Sequence, residues 1–174
     1  KGKFNIYDCI NNINKKLINR HPHIFSDKKD NSWQKGGWEL AKKKSKKRNS
    51  ILDGVPKALP ALTKAARIQE KASGAGFDWD VLTEVYDKVY EEINELKDAV
   101  MEKNADKIQD ELGDVLFSIV NLSRHIDINP EVALDKSIIK FINRFRLLED
   151  YMKDNKLDFK SQSTDNLEKI WNQI

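Results

Sequence analysis

The stretch LTEVYDKVYEEINELKDAVMEKNADKIQDELGDVLFSIVNL, residues 82–122, decides the fold. Leu82, Val85, Val89, Leu96 and Ala99 recur at a three-four spacing, the mark of an amphipathic helix with one buried stripe. Glu92 fills the slot between Val89 and Leu96, so it points inward. Ile108, Val115, Ile119 and Leu122 mark a second stripe, and Glu111 stands between Ile108 and Val115 in the same way. Residues three apart on a helix are neighbours, with Cβ atoms roughly 5–6 Å apart. Glu92 with Glu95, and Glu111 with Asp114, therefore form two carboxylate pincers one helical hairpin apart.

Ionised carboxylates in an apolar interior are costly unless paired. A hard divalent cation is the usual partner, and an all-oxygen set favours Mg²⁺, Mn²⁺ or Ca²⁺ over zinc. Di-iron carboxylate bundles need a Glu-x-x-His motif, and here the fourth position is Glu95 or Asp114. Magnesium binds through a few carboxylates plus substrate phosphate oxygens, so the pattern points to phosphate chemistry.

Working outward, the spacing predicts helices over about 4–20, 58–73, 81–101, 105–126 and 130–154, and a short one near the C-terminus. Ile6, Ile10, Ile13 and Leu17 carry the first, which stops before Pro22. Leu59, Leu62, Ala66 and Ile68 face inward in the second, ended by Gly74, Ala75 and Gly76. Asp80, Asn104, Asn129 and then Thr164 or Asp165 are the expected N-caps, with Pro130 in the favoured first position. The fold expected is all-α, resembling a four-helix bundle over 58–154 with an extra N-terminal helix and a short C-terminal helix. Residues 33–47, with Trp33 and Trp38, hold at most a helical turn.

Composition agrees with helices. Of 174 residues, 34% are charged and 39% hydrophobic, with only 7 Gly and 4 Pro. No apolar run approaches the ~20 residues of a membrane span, and no signal-peptide pattern is present, so no membrane role is expected. The single cysteine, Cys9, forms no internal disulfide and fits a reducing, cytoplasmic setting; beside Ile10 and Ile13 it reads as buried rather than catalytic. The net charge of +3 is concentrated in Lys42, Lys43, Lys44, Lys46, Lys47 and Arg48. That run lacks interleaved aromatics, so it reads as a solvated linker and nucleic-acid binding is not inferred. There is no Ser-His-Asp or Cys-His arrangement and no G-x-x-x-x-G-K-[ST] loop. His125 lies ~16 Å along the helix axis from Asp114, too far to share an ion. Lys140 and Arg144 are four apart on one helix face and suit phosphate, the first as a point charge and the second as a planar fork. Lys16-Leu17-Ile18-Asn19-Arg20 parallels Lys140-Phe141-Ile142-Asn143-Arg144, a fragmentary repeat whose first copy lacks the acids.

With these residues in view, the chain resembles the MazG family of nucleoside triphosphate pyrophosphohydrolases. The resemblance rests on KLINRHPHIF (16–25), ILDGVPKALPAL (51–62), GFDW (76–79), KVYEEINEL (88–96), DELGDVLFSIVNLSRH (110–125), KFINRFRLLE (140–149) and EKIW (168–171). It implies the tail of a first module at 1–25, a basic linker at 26–55 and a catalytic module at 56–174, the C-terminal part of a longer protein. It implies Mg²⁺, with Mn²⁺ as substitute, on Glu92, Glu95, Glu111 and Asp114. Nucleotide contacts would come from Lys88, Val89, Tyr90, Glu91 and Glu92, from Lys107, Ile108, Gln109 and Asp110, and from Lys140, Arg144 and Trp171. Trp171 would lie near the nucleotide, and base preference would depend on pocket shape around residues such as Trp171 and Trp79. Glu91 or Glu95 would take a proton from water, Glu111 would be required for catalysis, and the protein would act as a homodimer on nucleoside triphosphates. The alternative from the residues alone is a non-catalytic module that binds nucleotide and Mg²⁺ as a sensor or docks a protein.

Overall fold

The computed structural model describes residues 5–20, 24 and 49–174. Among these residues every regular element is helical: α1 (Ile6–Arg20), α2 (Ala61–Ser73), α3 (Leu82–Glu102), α4 (Ala105–His125), α5 (Pro130–Asp154), a 3-10 turn (Phe159–Ser161) and α6 (Thr164–Gln173). The protein is all-α. The expected turn near Trp33 and Trp38, the stop at His21-Pro22-His23 and the basic run 42–48 lie outside the described residues. Among the described residues no helix is long and apolar enough to cross a membrane.

The chain divides into two compact units, the first ending at Asp127 and the second running Ile128–Ile174. In the first unit α3 and α4 form an antiparallel hairpin, and α2 packs on α4. Lys103 takes a left-handed conformation, φ 55°, and closes α3 through its N–H to the Val100 carbonyl at 3.2 Å. Asn104 then opens α4 by accepting from the Lys107 N–H at 3.2 Å. The bend is two residues long. Lys107 Nζ reaches back to Glu102 at 3.0 Å, which raises the lysine's proton affinity through that hydrogen bond.

On α3, Val85, Val89, Glu92 and Ala99 are buried as the spacing predicts. Fully burying a valine contributes about 1.5–3 kcal/mol. Leu82, expected in the stripe, is 40% exposed, and Leu96 is only half-buried. The α4 stripe is wider than expected and shifted: Val115, Ser118, Val120 and Asn121 are buried, whereas Ile119 is 42% exposed. The physical reason is that α4 packs against both α3 and α2, so its covered surface exceeds one stripe and takes in polar positions. Ser118 is satisfied inside its own helix, donating to the Val115 carbonyl at 2.9 Å.

Other boundaries move by a residue or two. α2 begins at Ala61 rather than Ala58, because Pro60 at its N-cap holds Leu59 out of helix. Leu62, Ala66 and Ile68 are half-buried in it, and the fully buried positions are Gln69 and Lys71. Val81, not Asp80, is the N-cap of α3 and supplies no side-chain bond. Ser163, one residue ahead of the expected cap, accepts from the Asn166 N–H at 3.2 Å. Asn129 caps α5 as expected, accepting from Glu131 at 3.0 Å and Val132 at 3.2 Å. On α1, Cys9 is half-buried and Ile10 and Ile13 are 46% and 54% exposed, which corrects the expectation of a buried thiol.

In the second unit Leu148 and Met152 of α5 meet Ile170 of α6, with Tyr151, Leu157, Phe159, Leu167 and Trp171 packed around them.

Candidate metal and nucleotide site

The α3–α4 hairpin brings three carboxylates together. Oxygens of Glu92, Glu95 and Glu111 lie within 4.8 Å of one another, with Glu92 buried, Glu111 half-buried and Glu95 exposed. The antiparallel hairpin sets the Glu92–Glu95 pair of α3 beside Glu111 of α4. The Glu95 carboxyl is pushed above its ordinary range, first by desolvation, then by the charges of Glu92 and Glu111 and a hydrogen bond with Glu92. Like charges held this close need positive charge. The donors are all oxygen, which fits a hard divalent cation.

Lys88 supplies part of that charge. Its Nζ is 2.7 Å from Glu92 and 3.0 Å from Glu91, and the two hydrogen bonds raise the lysine's proton affinity. Glu91, whose side chain is 56% exposed, stands outside the three-carboxylate group. Asp114 also stands outside it, and instead lines an adjoining cavity together with Glu92 and Lys88. Val89 is buried and Tyr90 exposed on α3; Lys107 and Ile108 are half-buried and Gln109 and Asp110 exposed on α4.

The cavity, about 410 Å³, lies within the first unit. Ile68, Gln69 and Ala72 of α2, Phe77, Asp78 and Trp79 of the following turn, Val85 of α3, and Phe117, Ser118 and Asn121 of α4 form its walls. The turn is positioned by its backbone. Gly76, at φ 93°, lets the Phe77 N–H return to the Ala72 carbonyl at 3.0 Å, a helix stop that favours glycine.

A polar cluster then fixes the turn to the end of α4. Arg124 grips both carboxylate oxygens of Asp78, one through Nη1 at 2.9 Å and the other through Nη2. Ser73 donates to Asp78 at 2.6 Å, and His125 Nε2 lies 3.1 Å away. Burial alone would raise the Asp78 pKa, but the Arg124 and Ser73 hydrogen bonds and the nearby cations outweigh it and hold it at about 2. Sequence reading gave none of these residues a role; the only signal was the GFDW motif, whose aspartate has no helical period to explain it.

Lys140, Arg144 and Trp171 belong to the second unit. There Arg144 sits 4.7 Å above the Trp171 ring and donates to the Trp171 carbonyl at 2.5 Å, while Lys140 is exposed.

A model of the MazG nucleotide pyrophosphohydrolase domain matches residues 82–146, which include all four acids. The chain is 42% identical over 173 residues to the nucleoside triphosphate pyrophosphohydrolase/pyrophosphatase MazG of Thermotoga maritima, covering 98% of this chain and 66% of that protein. It is 38% identical over 183 residues to the nucleoside triphosphate pyrophosphohydrolase of Escherichia coli K12, covering 100% of this chain and 69% of that one. A third relative, the uncharacterized protein YabN of Bacillus subtilis, is 39% identical over 178 residues, covering 99% of this chain and 36% of YabN. The chain thus spans about two thirds of the length of the first two.

Proposed function

The chain belongs to the MazG nucleotide pyrophosphohydrolase family, and on that premise we propose that it hydrolyses nucleoside triphosphates to the monophosphate and pyrophosphate. The observation that carries this reading is the set of three carboxylates within 4.8 Å, bordered by a cavity that reaches Glu92 and Asp114. Glu92, Glu95, Glu111 and Asp114 would hold Mg²⁺, or Mn²⁺ in its place. The ion supplies polarisation of phosphate oxygens and acidification of a water.

The remaining work falls to side chains. Glu92 and Glu111, the less exposed acids, fix the position of the charge. Glu91 or Glu95 is proposed as the proton acceptor for water; Glu91 stands outside the three-carboxylate group, and a carboxylate not committed to the ion can take a proton. Lys88, beside Glu92 and Glu91, would offer its ammonium group to a phosphate oxygen. Lys140, Arg144 and Trp171, with the segments 88–92 and 107–110, are proposed as nucleotide contacts on the family pattern. The wider proposals, a homodimer, a cytoplasmic setting and a module at 56–174 preceded by the tail of another, rest on the same pattern.

The test is pyrophosphate release from a triphosphate panel with Mg²⁺. Turnover is expected, and Glu111→Ala is expected to abolish it. Nucleotide binding with no turnover would replace this reading with a sensor.

A further inference from the structure

The cavity of the first unit is walled mainly by helices. α2, α3 and α4 supply that part, and α2 is fixed to α4 where Gln69 Nε2 donates to the Phe117 carbonyl at 2.8 Å. The turn that carries Phe77 and Trp79 is clamped through Asp78 by Arg124 and Ser73. The remaining wall is Leu52, which precedes α2 in the chain and belongs to none of the helices.

Leu52 sits in a closed turn. The Ser50 N–H donates to Asp53 Oδ2 at 2.9 Å, the Leu52 N–H to Ser50 Oγ at 3.1 Å and the Asp53 N–H to the Ser50 carbonyl at 3.3 Å. Gly54, at φ 84°, takes a left-handed conformation that glycine adopts readily and turns the chain toward Pro56 and α2. These bonds shape the turn without joining it to a helix. A lysine of α2 makes that connection: Lys71, 8% exposed, donates through Nζ to the Ile51 carbonyl at 2.9 Å. An ammonium group taken out of water is costly unless its protons are matched, and a methionine would fill similar space without that cost. What the charge adds is a strong hydrogen bond to the backbone, next to the residue that lines the cavity. Leu52 itself is 42% exposed, so it stands at the rim, between solvent and the cavity that reaches Glu92 and Asp114.

We propose that residues 50–54 form a strap across the cavity mouth, with Leu52 as its closing side chain, and that Lys71 is the positioning residue that keeps it shut. A molecule in the cavity is then covered by Leu52, and its entry and exit depend on how readily the bond between Lys71 and Ile51 opens. For the identity of that molecule the proposal rests on the triphosphate reading above. The carboxylates belong to α3 and α4, so the strap holds substrate and leaves the chemical step to them.

The strap is tested with a thiol inside the cavity. Ala72→Cys places one on the wall, and Cys9→Ser removes the chain's single cysteine. That thiol is expected to react with an aromatic disulfide about tenfold faster once Lys71→Met or Leu52→Ala is added, the worth of one hydrogen bond or a small apolar contact. Amide exchange in α3 and α4 is expected to keep its rate. Unchanged thiol rates overturn the proposal, and so does faster exchange throughout α3 and α4, because Lys71 would then support the whole unit. Leu52→Ala, at an exposed rim position, keeps the test valid if Lys71→Met folds poorly. With ATP and Mg²⁺, both substitutions are expected to raise KM about fivefold at unchanged kcat. The double variant is expected to be no worse than the stronger single one, since both act through one side chain. Additive losses, or a fall in kcat alone, overturn the assignment of Lys71. The thiol measurement needs no turnover, so failure of the strap is distinguishable from failure of the proposed reaction.

Discussion

Asp78 shows how much a single side chain can carry when its partners come from elsewhere in the chain. Its pKa is lowered from 3.8 to about 2 in the fold. A depressed carboxyl contributes stability that is fully present above the unfolded value and lost as pH falls through the folded one. Asp78→Asn should therefore be clearly less stable than the unaltered chain near neutrality, and the difference should shrink as pH falls from about 4 toward 2. Urea unfolding at a series of pH values measures this, and a gap independent of pH would refute it. The carboxylate cluster allows a second test at the same scale. Mg²⁺ should raise the unfolding temperature, as any ligand of the native state does, and Glu92→Ala should remove most of that rise. Asp78 and Gln69 also mark where sequence reading stops. Glu92 was legible because it interrupts an apolar period, but a glutamine on α2 or an aspartate in a turn gains meaning only from Phe117, Ser73 and Arg124, which no local pattern links to it.

At the level of elements, the sequence gives the helices nearly whole, because caps and periodicity are local. Asn104 and Asn129 could be named as caps since each precedes an apolar repeat with the right spacing. Val81 could not, because Asp80 beside it has the better side chain and tertiary packing chose the start of α3. The exposure of Ile119 was likewise hidden: period alone cannot reveal that α4 has two neighbours. Two substitutions test the element ends. Asn129→Ala removes the acceptor for two N–H groups and should cost about 1 kcal/mol. Gly76→Ala has open space for its Cβ but must hold φ at 93°, so it should destabilise by about 1 kcal/mol or more through strain alone. Chemical denaturation of both variants, with the slope unchanged, checks these values.

For the whole molecule the largest unexplained quantity is exposed apolar surface. On α5, Ile138, Ile139, Phe141, Ile142 and Leu147 are each between 41% and 56% exposed, more than an isolated soluble chain usually tolerates in one stretch. The proposed homodimer would cover part of that surface. Analytical ultracentrifugation should find twice the 20.2 kDa chain mass, and Ile139→Glu should shift the population toward the single chain. Composition excluded a sandwich or a membrane span, but it could not give the division at Asp127, which depends on how contacts close in space.

The two-residue bend at Lys103–Asn104 has a consequence in time. It joins Glu95 and Glu111 through one of the shortest connections available to antiparallel helices, so they meet through local contacts, the kind that form early. Yet their approach gathers like charge before any distant part of the chain can compensate. Closing the hairpin should therefore be the step most sensitive to the medium: refolding should speed up with added salt or millimolar Mg²⁺, and the sensitivity should fall in Glu95→Gln. The bend that assembles the site would also make the surrounding ions a partner in its folding.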